Sequence, residues 1–423
     1  MAITSLCPGG SAQSCERRPG HSAMALCAAQ DVMTAAPTFS DDLAFLRLHT
    51  DVLVLSDADN QARVAIVPAW QGRVMTSTVG ADPGPSFGWV NRELIASGKV
   101  LPQINAFGGE DRLWLGPEGG QYSIFFPHGA PFDFAYWQVP ACLDTHPFQV
   151  VSHSSDRAQF ESNITLSNYS GTRFDVLINR EVRLLERASA WRELGMPSSE
   201  HVALIGYESR NVLRNVGPTA WSKETGLLSI WIMGMFSPGR AATIVVPIKR
   251  GPESALGPGV TSDYFGAVPA HRLKVTDSAV FFSGDGRFRS KLGINARRSL
   301  GKLGSFDAER NVLTLVQFTQ PEGSADYVNS RWMIQENPYA GDALNAYNDG
   351  PANPGEKPMG PFFELESSSP AAALQPGGQI DHIHRTFHLI GAQSALDTVS
   401  RKVLGVSLDE VKSALLPHGH YPH

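Results

Sequence analysis

The sequence has few cysteines, no long apolar run and no cluster of basic residues. Only Cys142 of its four cysteines lies in the body of the chain, which indicates neither a disulfide framework nor a zinc site. No run of about eighteen apolar residues is present, so we expect no membrane span. The formal net charge is −6 without a basic stripe, so we expect no nucleic-acid partner.

The first 36 residues also lack the pattern of a secretory signal. Arg17 and Arg18 are not followed by an apolar segment, and we therefore expect a cytoplasmic protein with a disordered leader over residues 1–36. Met24 is an alternative start, and a different start would make a periplasmic location compatible with the sequence. At the other end, we expect residues 417–423 to form a frayed tail.

The body of the chain has the pattern of an all-β protein. Its 40 glycines and 29 prolines favour a loop-rich fold. Short runs of β-branched and aromatic residues recur about every ten positions, for example at Tyr122–Phe126, Thr243–Ile248 and Val312–Phe318, with turn residues between them. This spacing predicts one large antiparallel sandwich or barrel over residues 37–392.

Helical patterns are confined to a few places. Ser40 is expected to cap a short N-terminal helix, and a short helical insertion is predicted near residues 188–194. Residues 393–416 predict a pair of C-terminal helices, the second of which opens with the capping box Ser407 to Glu410. We expect this pair to pack on the outside of the β domain.

The stretch Phe107–Gly120 concentrates charged and aromatic residues between two Gly-Gly pairs. Glycine lets the backbone turn tightly or approach a ligand closely. Glu110, Asp111, Arg112 and Trp114 combine carboxylates, a guanidinium and an indole, which suits a polyhydroxylated ligand. The alternative interpretation is a turn with an ordinary salt bridge and a core tryptophan.

Two late segments alternate polar and apolar residues. If residues 362–367 and 381–388 are strands, each has one apolar face and one face with ionisable groups. We predict that four ionisable side chains share a concave surface, where they serve general acid–base catalysis or bind a divalent metal: Glu364, Glu366, His382 and His384. The alternative interpretation is the solvated face of a sheet.

Three further residues are predicted to contact a ligand. His128 follows a strand in the sequence Phe-Pro-His-Gly, and Arg73 is expected near the same rim. Asn348 belongs to the polar segment 345–350. A surface location is the alternative for His128.

The motifs resemble those of the galactose mutarotase-like, or aldose 1-epimerase-like, superfamily. The resemblance rests on residues 69–77, on the Phe107–Gly120 stretch, on 364–366, and on the Pro-Gly-Gly turn that precedes 382–385. More closely, the chain resembles a bacterial domain family of unknown function within this superfamily, over about residues 39–415. The resemblance implies a large antiparallel β-supersandwich whose concave sheet binds carbohydrate.

The resemblance also implies catalytic residues. Aldose 1-epimerases use a glutamate base near the C-terminal end and a histidine acid from a central strand. Glu366 matches the glutamate, with Glu364 as the near alternative. The corresponding central strand, residues 227–233, contains no histidine. His128, His382 or His384 would therefore have to supply the acid.

Three functions remain open from the sequence. The first is an epimerase-like enzyme that binds a sugar or uronic acid, held by Arg73, Glu110, Arg112 and Trp114. The second is a metal-assisted sugar lyase, and the third is a non-catalytic carbohydrate-binding protein. Apart from a divalent metal ion at the four ionisable side chains named above, the sequence predicts no cofactor. We expect a monomer or homodimer.

Overall fold

A computed structural model describes residues 37–323, 326–353 and 355–415 of the chain. The predicted leader and the predicted tail lie outside these residues. The described residues belong to one compact unit that begins at Pro37.

Three antiparallel sheets form the body of the protein. The smallest has the order β1-β2-β3, with β1 at Leu53–Ser56, β2 at Ala62–Val67 and β3 at Arg73–Val79. The remaining strands are β4 (Arg112–Gly116), β5 (Gln149–His153), β6 (Arg157–Ser167), β7 (Arg173–Leu184), β8 (Val202–Asn215), β9 (Ser229–Phe236), β10 (Ala242–Pro247), β11 (Leu273–Val275), β12 (Ala279–Ser283), β13 (Ser290–Asn295), β14 (Lys302–Asp307), β15 (Val312–Phe318), β16 (Asp342–Asn348), β17 (Phe363–Ser368) and β18 (Gln379–Gly391).

Two of the sheets pack face to face as a sandwich. The larger has ten strands in the order β11-β12-β10-β14-β15-β18-β8-β7-β6-β5, and the smaller has five in the order β13-β16-β17-β9-β4. Their facing sides supply the shared core, with Leu113 and Ile232 from the small sheet and Ile178 and Leu213 from the large one. Strand pairing within each sheet is antiparallel, so the predicted all-β sandwich is confirmed.

The helices are short and lie outside the sandwich. They are α1 (Phe39–His49), α2 (Arg92–Ser97), α3 (Ala141–Asp144), α4 (Arg187–Glu193), α5 (Glu253–Leu256), α6 (Gln393–Val403) and α7 (Leu408–Ala414), with a 3₁₀ turn at Pro68–Trp70. Among the described residues, none of the helices has the length and apolar character that crossing a bilayer requires.

The capping residues explain where these helices begin. The predicted capping box from Ser407 to Glu410 is present at α7. Helix α1 is capped by Thr38 instead of Ser40, because Thr38 and Asp41 complete a reciprocal capping box that begins two residues earlier.

Helices α4, α6 and α7 cover the outer face of the large sheet. Their apolar side chains, such as Trp191 and Leu396, form a second core with Phe387 of β18. Strands β10, β14 and β15 of the large sheet are therefore buried on both faces, whereas alternate residues of β6 and β7 stay partly exposed. The face of the small sheet that points away from the sandwich carries no helix layer, and loops rise around it instead.

Candidate functional site

A cavity of about 870 Å³ lies over the outer face of the five-stranded sheet. Alternate residues of the strands project into it, because successive side chains of a strand point to opposite faces. The floor is contributed by all five strands and consists of Arg112, Trp114, Trp231, Met233, Met235, Lys291, Asn345, Tyr347 and Glu364.

Strand register brings the ionisable floor residues together. Tyr347 of β16 pairs directly with Glu364 of β17 on one side and with Lys291 of β13 on the other. Two residues further along β17, Glu366 pairs with Met233 of β9, which in turn pairs with Arg112 of β4. Directly opposed residues have Cβ atoms about 5 Å apart, so these side chains form one continuous surface.

Aromatic side chains form the walls. The Trp114 and Trp231 rings meet edge to face with centroids 5.6 Å apart. Above them, Trp137 from the loop after β4 stacks on Trp332 from the loop before β16, at 5.8 Å. Loops that are distant in sequence thus enclose one space.

The carboxyl group of Glu366 is held by two donors. Its Oε2 accepts hydrogen bonds from the Lys291 ammonium and from the Trp231 indole N–H, each at 2.9 Å. Two donors, one of them cationic, stabilise the ionised carboxylate. Its Oε1 is buried and makes no hydrogen bond to the described residues.

Glu364 lines the cavity and has a different environment from that of Glu366. Burial raises the pKa of Glu364 to about 8; the Arg112 guanidinium, 3.1 Å away, opposes the rise, and the charge on Glu366 adds to it. Burial also acts on Lys291, but the carboxylates of Glu366 and Glu118 outweigh it and raise the pKa of the lysine. At neutral pH the site therefore combines a neutral Glu364 with a Lys291–Glu366 ion pair.

Of the other carboxyl groups that border the cavity, Asp342 and Asp349 are hydrogen-bonded to tyrosines. Asp342 accepts a short hydrogen bond from Tyr264, and Asp349 accepts one from Tyr347 at 3.0 Å. Burial raises the pKa of each aspartate to about 6. These aspartates were not predicted from the sequence, and the only signal for Asp349 was its i, i+2 spacing from Tyr347.

Trp231 and Lys291 were also not predicted from the sequence. Trp231 lies in the central strand, where the resemblance implied a histidine. Lys291 gives no local signal, because its partner Glu366 is 75 residues away.

His382 and His384 do not face the cavity, so the predicted shared surface is wrong. Both lie between the two sheets, where the Ser367 hydroxyl is 2.8 Å from His382 Nε2 and 2.8 Å from His384 Nδ1. Ser367 is on the face of β17 opposite to Glu364 and Glu366. Burial lowers the pKa of His382 to about 3 and that of His384 to about 4.

This arrangement also corrects the predicted metal-ligand set. Glu364 and Glu366 are separated from the two histidines by the backbone of β17 and cannot surround one ion. Within residues 37–323, 326–353 and 355–415, no three His, Cys, Asp or Glu side chains are arranged to hold a metal ion.

Glu110 and Asp111 are internal residues, whereas Arg112 and Trp114 reach the cavity. Glu110 accepts hydrogen bonds from the backbone N–H of Ser77 at 2.6 Å and from the hydroxyl of Tyr207 at 2.9 Å. Asp111 forms a fully buried ion pair with Arg180 at 2.6 Å. Of this stretch, Arg112 and Trp114 therefore lie with Glu364 at the cavity, and the predicted ligand contacts of Glu110 and Asp111 are wrong.

None of the other three predicted contact residues lines the cavity. Arg73 is buried and donates to the carbonyl oxygen of Gly108 at 3.1 Å. His128 is exposed, with Nδ1 2.6 Å from the carbonyl oxygen of Tyr169. Asn348 is buried on the inner face of β16, where its Oδ1 accepts from the backbone N–H of Gly286 at 2.8 Å.

The first Gly-Gly pair is needed for close backbone packing. Gly108 and Gly109 have φ angles of 98° and 110°, which L side chains rarely adopt. A Cβ atom on Gly108 would lie 2.0 Å from the carbonyl oxygen of Trp89. The pair thus packs the loop against its neighbours.

A family model described as a family of unknown function, DUF6786, matches residues 37–415. The chain belongs to this family. The resemblance to a domain family of unknown function is therefore confirmed. No curated protein matches the DUF6786 chain.

Solved structures similar to this DUF6786 member include three proteins with 12–14% sequence identity. The Slr1438 protein from Synechocystis sp. is 14% identical over 81% of this chain and 96% of its own, with a TM-score of 0.46. A putative aldose 1-epimerase from Escherichia coli is 12% identical over 81% of this chain and 99% of its own, with a TM-score of 0.45. A galactose mutarotase-like protein from Lactobacillus casei is 12% identical over 80% of this chain and 100% of its own, with a TM-score of 0.46. At these values the similarity says nothing about ligand or reaction.

Proposed function

We propose that this protein binds a sugar in the cavity over the five-stranded sheet and catalyses proton exchange with it through Glu364, with Glu366 as the charged partner. The observation that carries the proposal is the contrast between two carboxyl groups on one face of β17. Glu366 is ion-paired with Lys291, whereas the pKa of Glu364 is raised to about 8. Two carboxyl groups held in such contrasting environments are typical of acid–base pairs.

The lining of the cavity supports a sugar as the ligand. The half-buried ring of Trp332 and the buried rings of Trp114 and Trp231, which Arg112 and Lys291 cover at 4.2 and 4.7 Å, give the cavity an aromatic lining against which the C–H groups of a pyranose can pack. Arg112 and Asn345 add hydrogen-bonding groups for hydroxyls on the same floor. Apolar walls with a few polar groups are typical of sites for small molecules.

The chemistry that fits two carboxyl groups is the interconversion of anomers. Neutral Glu364 donates its proton to the ring oxygen, while the proton of the anomeric hydroxyl passes to water in the cavity, because Oε1 of Glu366 is buried. The bond between the ring oxygen and the anomeric carbon breaks, and a carbonyl group forms. Reclosure on the other face of the carbonyl returns both protons and yields the second anomer. In this scheme, Glu364 takes the acid role that the resemblance assigned to a histidine.

Exchange between anomers, measured by magnetisation-transfer NMR on glucose, galactose, xylose and galacturonate, tests the proposal. We expect catalysed exchange for at least one of these sugars and a loss of about 10²-fold or more in Glu364→Gln, the range of general acid–base catalysis. Glu200→Gln, at an exposed loop position, is the matched control and should keep full activity. Failure of all four sugars to bind or exchange would overturn the proposal.

A second candidate is a carbohydrate-binding protein without catalysis. The observation that favours it is that each carboxyl group already has a cationic partner, Arg112 for Glu364 and Lys291 for Glu366. Binding measured by calorimetry in the absence of any acceleration of anomer exchange would support this candidate over the first.

A further inference from the structure

The mouth of the cavity is ringed by exposed apolar side chains from four separate loops. Phe134, Phe265, Met333 and Met359 are 54%, 44%, 56% and 44% exposed, respectively. All four also line the cavity. Clustered exposed apolar groups of this kind mark a binding surface, whereas single ones need no explanation.

The two rim phenylalanines are supported as flat platforms. Phe134 stacks on Trp137 with ring centroids 5.8 Å apart and an angle of 21° between the planes. On the other side, the guanidinium of Arg289 lies 4.1 Å from the centroid of Phe265. Each ring therefore has one face held by the protein, and the aromatic surface continues from the walls to the opening.

The cavity is also larger than one sugar ring requires. Its volume of about 870 Å³ is near the upper end of the roughly 300–1,000 Å³ found for sites that enclose drug-sized ligands. Arg112, Lys291 and Glu364 lie on the floor, and the four exposed apolar side chains lie at the mouth. A ligand that fills this space has one polar reacting end and a longer part with apolar faces.

We propose that the ligand is the reducing end of an oligosaccharide, with the adjoining sugar residues stacked on Phe134 and Phe265. This inference rests on the proposed function, since anomer exchange needs a free anomeric hydroxyl at the floor. The chain must then extend from another carbon atom toward the opening. Each pyranose has an apolar C–H face for an aromatic ring and hydroxyl groups that remain in water at the rim.

The decisive experiment measures affinity against chain length. Calorimetry compares glucose with cellobiose and cellotriose, glucose with maltose and maltotriose, and xylose with xylobiose. We expect at least a tenfold tighter affinity for the disaccharide than for the monosaccharide in one series. The double variant Phe134→Ala/Phe265→Ala should lose most of this gain, while its monosaccharide affinity and anomer-exchange rate stay within twofold of wild type.

Two further variants serve as controls. Phe134→Tyr/Phe265→Tyr keeps the ring faces and should keep the gain. Leu48→Ala removes a side chain that is 82% exposed on α1 and should change neither affinity. Because all of these positions are exposed, thermal unfolding should confirm that the variants fold.

Three outcomes would overturn the inference. The inference is wrong if sugars of all chain lengths bind with equal affinity, or if the double variant loses as much affinity for short sugars as for long ones. Either result would leave the proposed function unaffected. A concentration-dependent dimer that the double variant abolishes, with no chain-length effect, would assign the rim to a second copy of the protein. If every sugar fails to bind, the proposed function itself fails, and this inference fails with it.

Discussion

Glu366 and Ser367 are consecutive residues of β17, but they belong to different environments. The Glu366 carboxylate accepts hydrogen bonds from Lys291 and Trp231 on the cavity side of the sheet. The Ser367 hydroxyl contacts His382 and His384 between the two sheets. The thickness of one strand therefore separates the candidate acid–base pair from the buried histidines, and substitutions on the two sides should have different consequences.

Ser367→Ala should affect stability and not ligand binding. The substitution leaves His382 Nε2 and His384 Nδ1 buried without this partner, which we expect to cost about 1–3 kcal/mol of unfolding free energy. The matched control is Ser368→Ala, because Ser368 lines the cavity on the other face. It should change sugar affinity more than stability. Urea unfolding and calorimetry on both variants check this, and a large loss of affinity in Ser367→Ala alone would contradict it.

The raised pKa of Glu364 should appear as a pH dependence of stability. Because its pKa is about 8 in the folded protein and about 4.3 in the unfolded chain, the folded state binds more protons between these values. The contribution of Glu364 to stability should therefore fall as pH rises from about 4.3 to 8. Glu364→Gln removes this term, so its stability relative to wild type should increase over that range in urea unfolding experiments. A constant difference between pH 5 and 8 would show that Glu364 is ionised throughout.

The buried histidines should have the opposite pH dependence. The pKa values of His382 and His384 are about 3 and 4 in the folded protein, below the value of about 6.5 in an unfolded chain. The unfolded state then binds more protons, so stability should fall as pH falls from 6.5 toward 4. In thermal unfolding, the melting temperature of His382→Gln should fall less steeply with decreasing pH than that of wild type. An unchanged slope would indicate that His382 does not contribute to it.

Asp111→Ala should be among the most destabilising substitutions at the predicted site residues. It leaves the Arg180 guanidinium buried without its carboxylate partner, and breaking such a pair costs about 3–5 kcal/mol. Asp381→Ala is the control, since Asp381 and Arg210 form a half-exposed pair that should contribute at most about 1 kcal/mol. Denaturant unfolding of both variants tests this difference. If Asp111→Ala keeps its stability and loses sugar binding, Asp111 belongs to the site after all.

The sequence by itself determined the class of fold and which side chains of each strand share a face. Strand-length runs of β-branched residues and intervening turns predict an antiparallel sandwich because these signals are local. Alternation in the same way places Glu364 with Glu366 and His382 with His384, since a period of two is a property of the backbone. Arg112 and Trp114 were also identified, through the concentration of charged and aromatic residues beside two glycines.

Only the tertiary structure decided which face of each strand meets the cavity. Alternation relates the side chains of one strand to each other, but packing against another sheet decides which set is covered. His382 and His384 were expected on the concave surface, yet neutral imidazoles with hydroxyl partners are accommodated between the sheets. Glu366 likewise depends on Trp231 and Lys291, which are 135 and 75 residues away in the chain. Such partners are set by strand order, and strand order is a non-local property that no short pattern in the sequence encodes.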